Sequence, residues 1–398
     1  MLLHPVSRRR LLGSAMIIAL CAFALVGRAS DAIAKKVIYP GAFALTTGQM
    51  TTPRFAHTAT LLNDGAVLIT GGEDNNGVAQ SNAELYNPTT RTFALTAGVM
   101  DIARVEHTAT LLNDGTVLIT GGESANLAEV YASADIYNPA TGLFTLTTTP
   151  MTDTRAEHTA TLLQNGEVLI TGGLDMLTFK PVKTAELYDP TTKTFTALAA
   201  TMSTERLGHT ATLLQSGEVL IAGGQDKTGA VLKTAELYDP TAQTFTLTAK
   251  KMTIARTLHT ATLLNDGEVL LASGFGVNGT TTRNATLYDP ATNKFLSAKS
   301  VKHSGFAATA TLLGSGDVLR TGGYDVPPTT PAFSLATSEA YAIATKKFEQ
   351  GPTMAFAREG HTATLLQDGT VLVAGGASVT TGGKFTVQAT AEIFTPQP

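Results

Sequence analysis

The string His-Thr-Ala-Thr-Leu-Leu begins at His57, His107, His158, His209, His259 and His361, and a degenerate copy, Ala-Thr-Ala-Thr-Leu-Leu, begins at Ala308. One unit is therefore written seven times, at a spacing of about 50 residues, with a Gly pair or a close variant in each copy. A sheet of that size cannot bury both faces alone, so copies must stack on one another. The pattern predicts an all-β chain folded as a seven-bladed β-propeller with four antiparallel strands per blade. A ring of blades also lets one domain exceed the usual single-core size, because each blade packs only on its neighbours.

The first copy shows the reading within a unit. Phe55 to Leu62 is the first strand, Asn63-Asp64-Gly65 a turn, and Ala66 to Thr70 a second strand that ends at Gly71-Gly72. The Asp-Gly turn suits a type I′ hairpin, which needs positive φ. A third strand at Ala83 to Tyr86 stops at Asn87-Pro88, and a fourth centres on Phe93. Fourth-strand copies centre on Phe43, Phe93, Phe144, Phe195, Phe245, Phe295 and Phe348, so the first precedes any His-Thr-Ala-Thr-Leu-Leu string and the last unit lacks one. The N-terminal segment Gly41 to Leu45 is therefore expected to complete the last blade and close the ring, removing two open sheet edges.

Residues 1–34 are of another kind: Arg8, Arg9 and Arg10 precede an apolar run from Leu11 to Val26, and Ala32-Ile33-Ala34 precedes Lys35. This is the layout of a signal peptide, with residues 35–398 as the propeller. The apolar run is shorter than the roughly 20 residues needed to span a bilayer, so cleavage is expected, with no membrane attachment afterwards. Ser7 to Leu12 is similar to a twin-arginine signal, leaving general and twin-arginine export both open. The chain is expected to be exported, to the periplasm or beyond. Cleavage leaves 24 basic and 31 acidic residues, a formal charge of −7, and removes Cys21, the only cysteine. A net-acidic surface argues against nucleic acid as a partner. Without disulfides, packing must supply the stability.

Arg206, His209, Gly223-Gly224, Tyr238-Asp239-Pro240 and Phe245 in one unit, with their counterparts across residues 41–394, resemble kelch repeats. One departure is general: the fourth-strand Trp of that family is Phe here, and the chain has no Trp. In kelch domains that bind peptides, the resemblance implies that the Arg before the His reaches the ligand.

The Gly pairs lack the following Lys-Ser/Thr and strand-to-helix context of a phosphate loop, so they read as positive-φ residues where backbones approach closely. The repeated His residues alternate with apolar neighbours and have no Cys or clustered carboxylates beside them; they read as hydrogen-bonded spacers between blades, with no metal and no cofactor expected. Arg54, Arg104, Arg155, Arg206, Arg256 and Arg358 start the first strands, on the end that carries the unequal loops Leu174 to Thr184, Tyr324 to Ser338 and Ala377 to Ala389. Either they rim a binding face, recognising acidic or hydroxyl-rich groups, or each caps its own blade by bonding carbonyls. Strand alternation puts Glu106 and Glu157, weak catalytic candidates, on the same side as Arg104 and Arg155, where they could do acid–base work, bind sugar or form local salt bridges. The sixth copy has Gly305 and Ala308 in place of Arg and His, and Arg320 in an otherwise aliphatic position; Arg320 is expected to fill the space left at Ala308 or to line a wet pocket and join the binding set.

Three function classes follow. The first is an exported, monomeric binding module that presents its Arg-rimmed loop face to a protein or glycan. The second is a carbohydrate-active enzyme similar to a kelch-type sialic-acid mutarotase. The third, similar to galactose oxidase, requires a Cys cross-linked to Tyr, which the cleaved chain lacks.

Overall fold

In the computed structural model, which describes residues 39–397, seven four-stranded antiparallel sheets surround one axis. Blade 1 consists of Thr58–Leu61, Val67–Thr70, Ala83–Asn87 and Thr92–Leu95 in that order. Blades 2 to 6 repeat this plan, starting at Thr108, Thr159, Thr210, Thr260 and Thr309. The seven inner strands contact one another in a closed circuit, the last (Thr362–Leu365) meeting the first. The signal-peptide reading for residues 1–34 lies outside the described residues.

Each second strand, such as Val67-Leu68-Ile69-Thr70, is buried along its whole length. It lies between the blades before and after it, so both its faces are interior, and the local sequence is a continuous apolar run rather than an alternation. Fourth strands are mostly exposed, except for the Phe that packs on the third-strand Tyr. Tyr86–Phe93 and Tyr188–Phe195, for example, have ring centroids 4.9 and 4.8 Å apart. These Tyr–Phe pairs join the third and fourth strands through tilted aromatic contacts.

Closure occurs as the sequence predicts. Gly41–Leu45 pairs antiparallel with Ala391–Pro396, and Phe43 lies opposite Phe394 at 5.1 Å between ring centroids. The seventh blade is thus built from both ends of the ring.

Two local expectations are corrected. The Asn63-Asp64-Gly65 turn has positive φ only at Gly65, and Leu62 and Ala66 are joined by a backbone hydrogen bond of 2.8 Å. This is a three-residue loop ending in a left-handed Gly, not a type I′ turn. The first strand is also not continuous from Phe55. It begins at Thr58, because Ala56 is left-handed at φ 54°, and Phe55 makes only an isolated bridge to Glu73.

Deleting residues 37–49 removes the fourth strand of blade 7 and exposes Phe394 and Ile393. The truncated protein is expected to melt well below the full-length chain by calorimetry, and an unchanged melting temperature would refute closure as the stabilising device.

Candidate functional site

The left-handed residue at the head of each inner strand organises the axis. Ala56, Glu106, Glu157, Gly208, Leu258, Ala307 and Gly360 all have φ between 51° and 60°. Each N–H donates to the carbonyl of its counterpart in the preceding blade, and Ala56 donates to Gly360, giving an unbroken circle of seven backbone hydrogen bonds of 2.8–3.4 Å. The circle uses peptide groups that a channel mouth would otherwise leave unpaired.

A left-handed residue also breaks strand alternation. Glu106 and Glu157 therefore do not share a side with Arg104 and Arg155, as alternation predicts. They are half-buried and line the channel mouth, a cavity of about 290 Å³ whose wall includes the seven left-handed residues and the six His positions. The lining contains two carboxylates, on neighbouring blades, and no Lys or Arg. Just outside the circle, Glu73, Glu123 and Glu359 sit on the isolated bridges that flank it and are buried. Glu73 and Glu123 were signalled by the repeated Gly-Gly-Glu of the first two copies, whereas Glu359, which precedes Gly360, carries no such repeat signal.

The arginines go elsewhere. Arg54, Arg104, Arg155, Arg206, Arg256 and Arg358 are each 0% exposed, so the expectation of an accessible Arg rim is not met. Each guanidinium turns into its own blade. Arg155 donates to Gly172 O at 2.8 Å and Thr184 O at 3.1 Å, and pairs with Glu186 at 2.9 Å. The same pairing joins Arg54 to Glu84, Arg104 to Asp135, Arg206 to Glu236 and Arg358 to Glu392. The acid is the second residue of the third strand, a carboxylate present in six of the seven blades. Carbonyl capping, one of the two readings of these residues, describes what they do.

The His residues join blades. His107 Nε2 is hydrogen-bonded to Thr58 Oγ1 at 3.1 Å and Thr70 Oγ1 at 3.0 Å, both in the preceding blade. His158, His209 and His361 repeat this double contact, while His57 and His259 keep one hydroxyl because Ala374 and Ala222 replace the second Thr. The imidazole passes over the first Gly of the pair. A Cβ on Gly71 would lie 2.5 Å from both His107 Cε1 and Arg104 O, and Gly71 has φ 62°, so only Gly fits there. Burial, reinforced by the neighbouring arginines, drives the pKa of His57, His158, His209 and His361 down to about 3 and that of His107 and His259 well below the usual value. These rings are neutral spacers, with Nε2 committed to hydroxyl groups.

The deviations around blades 5 and 6 form one compensated cluster. Ser273 replaces the first Gly of the pair, at φ 60°, and the imidazole that would oppose its Cβ is absent because Ala308 follows in blade 6. Arg320 does not fill the space at Ala308. It takes over from the arginine missing at Gly305: Arg320 Nη1 pairs with Glu339 at 2.8 Å, Nη2 donates to Gly305 O at 3.1 Å and Ser273 Oγ at 3.2 Å, and a Cβ on Gly305 would meet Nη2 at 3.2 Å. At 2% exposure Arg320 is a buried structural ion, not a lining residue of the mouth.

The three unequal loops singled out from the sequence each fold as an extra hairpin: Leu174–Asp175 with Lys180–Pro181, Tyr324–Asp325 with Phe333–Ser334, and Ala377–Val379 with Phe385–Val387. The hairpins of blades 6 and 7 lean together through Phe306, Tyr324, Val379 and Phe385. The blade 3 hairpin instead projects Leu177, 91% exposed, and Phe179, 56% exposed. The loop face is thus apolar and packed over blades 5 to 7 and carries an exposed apolar tip over blade 3.

Among solved structures the chain is similar to a fungal alcohol oxidase of the AA5 family, in complex with copper, with a TM-score of 0.69 and 18% identity over 89% of this chain and 76% of that one. At that identity the likeness shows the propeller fold alone. No protein-family model and no curated protein matches the chain. The residues present do not fit a copper centre: the six repeated imidazoles are buried between blades with Nε2 on Thr hydroxyls, and the described residues hold no group of three or more metal-ligating side chains.

Two outcomes are expected. Native His57, His158, His209 and His361 protonate only near pH 3 and His107 and His259 well below the usual range, whereas the unfolded chain takes up these protons near pH 6.5. Stability present above about pH 6.5 is therefore lost as pH falls toward 3, and the pH dependence of the urea midpoint near pH 5 should approach an uptake of about six protons from these residues, reduced by about one in H209Q. In blade 6, R320I alone leaves Glu339 buried and unpaired and should cost about 3–5 kcal/mol in chemical denaturation. Adding A308H should not restore stability, whereas adding G305R should recover most of it.

Proposed function

We propose that the protein is an exported kelch-type propeller that works as a binding module, its ligand face being the loop face over blades 2 and 3 and its ligand a protein segment carrying basic side chains. The observation that carries this reading is the composition of the channel mouth. Glu106 and Glu157 stand in its wall, Glu73, Glu123 and Glu359 lie just outside, and every arginine of the repeat is turned away into a buried pair or a carbonyl cap. With the imidazoles neutral, the ionisable side chains that the lining presents are two carboxylates and no Lys or Arg. An incoming ammonium or guanidinium gains charge-assisted hydrogen bonds there.

The same blade supplies an apolar anchor. Leu177 and Phe179 project from the hairpin after the blade 3 Gly pair, the type of side chain that interfaces bury at their centre. A variable loop on a fixed scaffold, next to a complementary charge, is the usual arrangement of a recognition surface. The expected ligand polarity is thus opposite to that implied by an arginine rim. An exported, net-acidic chain with an acidic mouth is also suited to encounter basic partners by electrostatic steering.

The test is a thermal-shift titration at fixed ionic strength with hexalysine, hexaglutamate and a panel of neutral and acidic sugars. Hexalysine is expected to raise the melting temperature, hexaglutamate is not, and the shift should disappear in the double variant E106Q/E157Q, whose own melt stays within about 2 °C of the parent because both side chains are half-exposed. A shift with sugars alone would favour the carbohydrate-active reading. A hexalysine shift that survives in E106Q/E157Q would remove the mouth from consideration.

A further inference from the structure

The buried ion pairs follow a template that blade 5 leaves incomplete. In the other six blades the third-strand carboxylate has two duties: it accepts from the guanidinium and from a peptide N–H three residues before the first-strand Arg position. Thus Thr51 N donates to Glu84 Oε2 at 2.7 Å, Thr152 N to Glu186 Oε2 at 2.8 Å, Ser203 N to Glu236 Oε2 at 2.8 Å and Ala355 N to Glu392 Oε2 at 2.7 Å. Blade 2 does the same with the shorter Asp135, which accepts from Asp101 N at 3.3 Å, and blade 6 with Glu339 and Lys302 N at 2.5 Å.

Blade 5 keeps the donors and lacks the acid. Its third strand is Ala285–Asp289, with Thr286 at the carboxylate position. Arg256 is 0% exposed, as its counterparts are. Its Nη1 donates to Ser273 O and Asn284 O, both at 3.0 Å, and Nη2 to Thr286 Oγ1 at 3.1 Å, but among the described residues no carboxylate pairs with it and Nε has no acceptor. Arg206 Nε is also unpartnered, yet that guanidinium carries Glu236 on Nη2. The Thr253 N–H, the equivalent of the peptide donors above, likewise has no acceptor among the described residues, and Thr253 Oγ1 has turned to Thr286 Oγ1 at 2.9 Å.

We propose that blade 5 binds a small monovalent anion, the size of a carboxylate or a halide, between the Arg256 guanidinium and the Thr253 N–H. The anion takes the place that a side-chain carboxylate occupies in the six other blades. Replacing Glu by Thr removes the carboxylate group while leaving both donors where the fold puts them, and a buried guanidinium without a counter-charge is strongly disfavoured. Burial lowers the pKa of Arg256 only to about 10, so the group stays charged at neutral pH and the demand for an anion persists. Access comes from the Thr253 side, since Thr253 is exposed whereas Arg256 is not. The hydroxyls of Thr253 and Thr286 spend one proton on their mutual hydrogen bond, which leaves the other to donate to an anion. This site lies within a blade, apart from the channel mouth, and does not depend on the ligand proposed for that mouth.

The experiment uses formate, a carboxylate without a side chain. The melting temperature of the full chain is measured against sodium formate, with ionic strength held constant by sodium gluconate, whose anion is too bulky to enter. The wild-type temperature is expected to rise saturably. T286E, which supplies its own carboxylate, is expected to melt higher than wild type in the absence of formate and to show no formate response. A wild-type melt that formate leaves unchanged, or a rise that T286E shares in full, overturns the proposal. Should T286E not fold, wild-type crystals soaked in sodium bromide decide: an anomalous peak within hydrogen-bonding reach of Arg256 Nε and Thr253 N supports the site, and no peak there overturns it.

Discussion

The ring depends on one joint, repeated from blade to blade: an imidazole that crosses into the preceding sheet, rests over a glycine that has no side chain to obstruct it, and bonds to the hydroxyls of the inner and second strands. Gly71, His107, Thr58 and Thr70 make up one such joint. Hydrophobic contact between blades is non-directional and would permit sliding, whereas a buried hydrogen bond has a fixed geometry. The His–Thr contact therefore sets the register between sheets, and the Gly pair lets the backbones come close enough for it. Where the imidazole is missing, at Ala308, the glycine is no longer required and Ser273 stands in its place.

Beside each joint lies a buried cation. Seven guanidiniums, counting Arg320 for the absent residue at Gly305, tie the start of the first strand or its substitute to carbonyls and, in six blades, to a third-strand acid. Buried pairs contribute little net stability but are costly to break from one side. That asymmetry explains why the deviations in blade 6 come as a set: the cation moved from the first strand to the second while Glu339 stayed, and charge remained balanced. Blade 5 made the opposite change, losing the acid and keeping the cation, and so carries an unbalanced charge.

The functional consequence comes from a backbone detail. Seven left-handed residues form a closed circle of peptide hydrogen bonds at the axis, and their side chains, freed from the sheet, define the channel mouth. Most are Ala or Gly. Leu258, Glu106 and Glu157 are the exceptions, and the two acids place negative charge at the mouth while Arg104 and Arg155, two residues earlier in the chain in each case, are sealed inside the blades. On the reading proposed above, the acidic mouth and the exposed Leu177 and Phe179 form the surface offered to a partner.

Much of the architecture was legible from the chain alone. The period, the four-strand unit, the completion of blade 7 by Phe43 and the role of His as a spacer all follow from residue spacing and local chemistry, because repeats packed on repeats must obey one geometry. The loops of unequal length were identified as well, though not that each holds a hairpin. What the sequence could not place was direction at the head of the first strand. Alternation carries side-chain facing only along an unbroken strand, and a left-handed turn at Ala56, Glu106 and their counterparts, most of which are not Gly, is set by the circle of hydrogen bonds from neighbouring blades. The acids paired with arginine lie about 30 residues downstream and become partners only when the third strand joins the sheet. Sequence thus determined which units repeat and how the ring closes; tertiary structure decided which charges are buried and which face the mouth, since both depend on contacts that exist only after the blades have assembled.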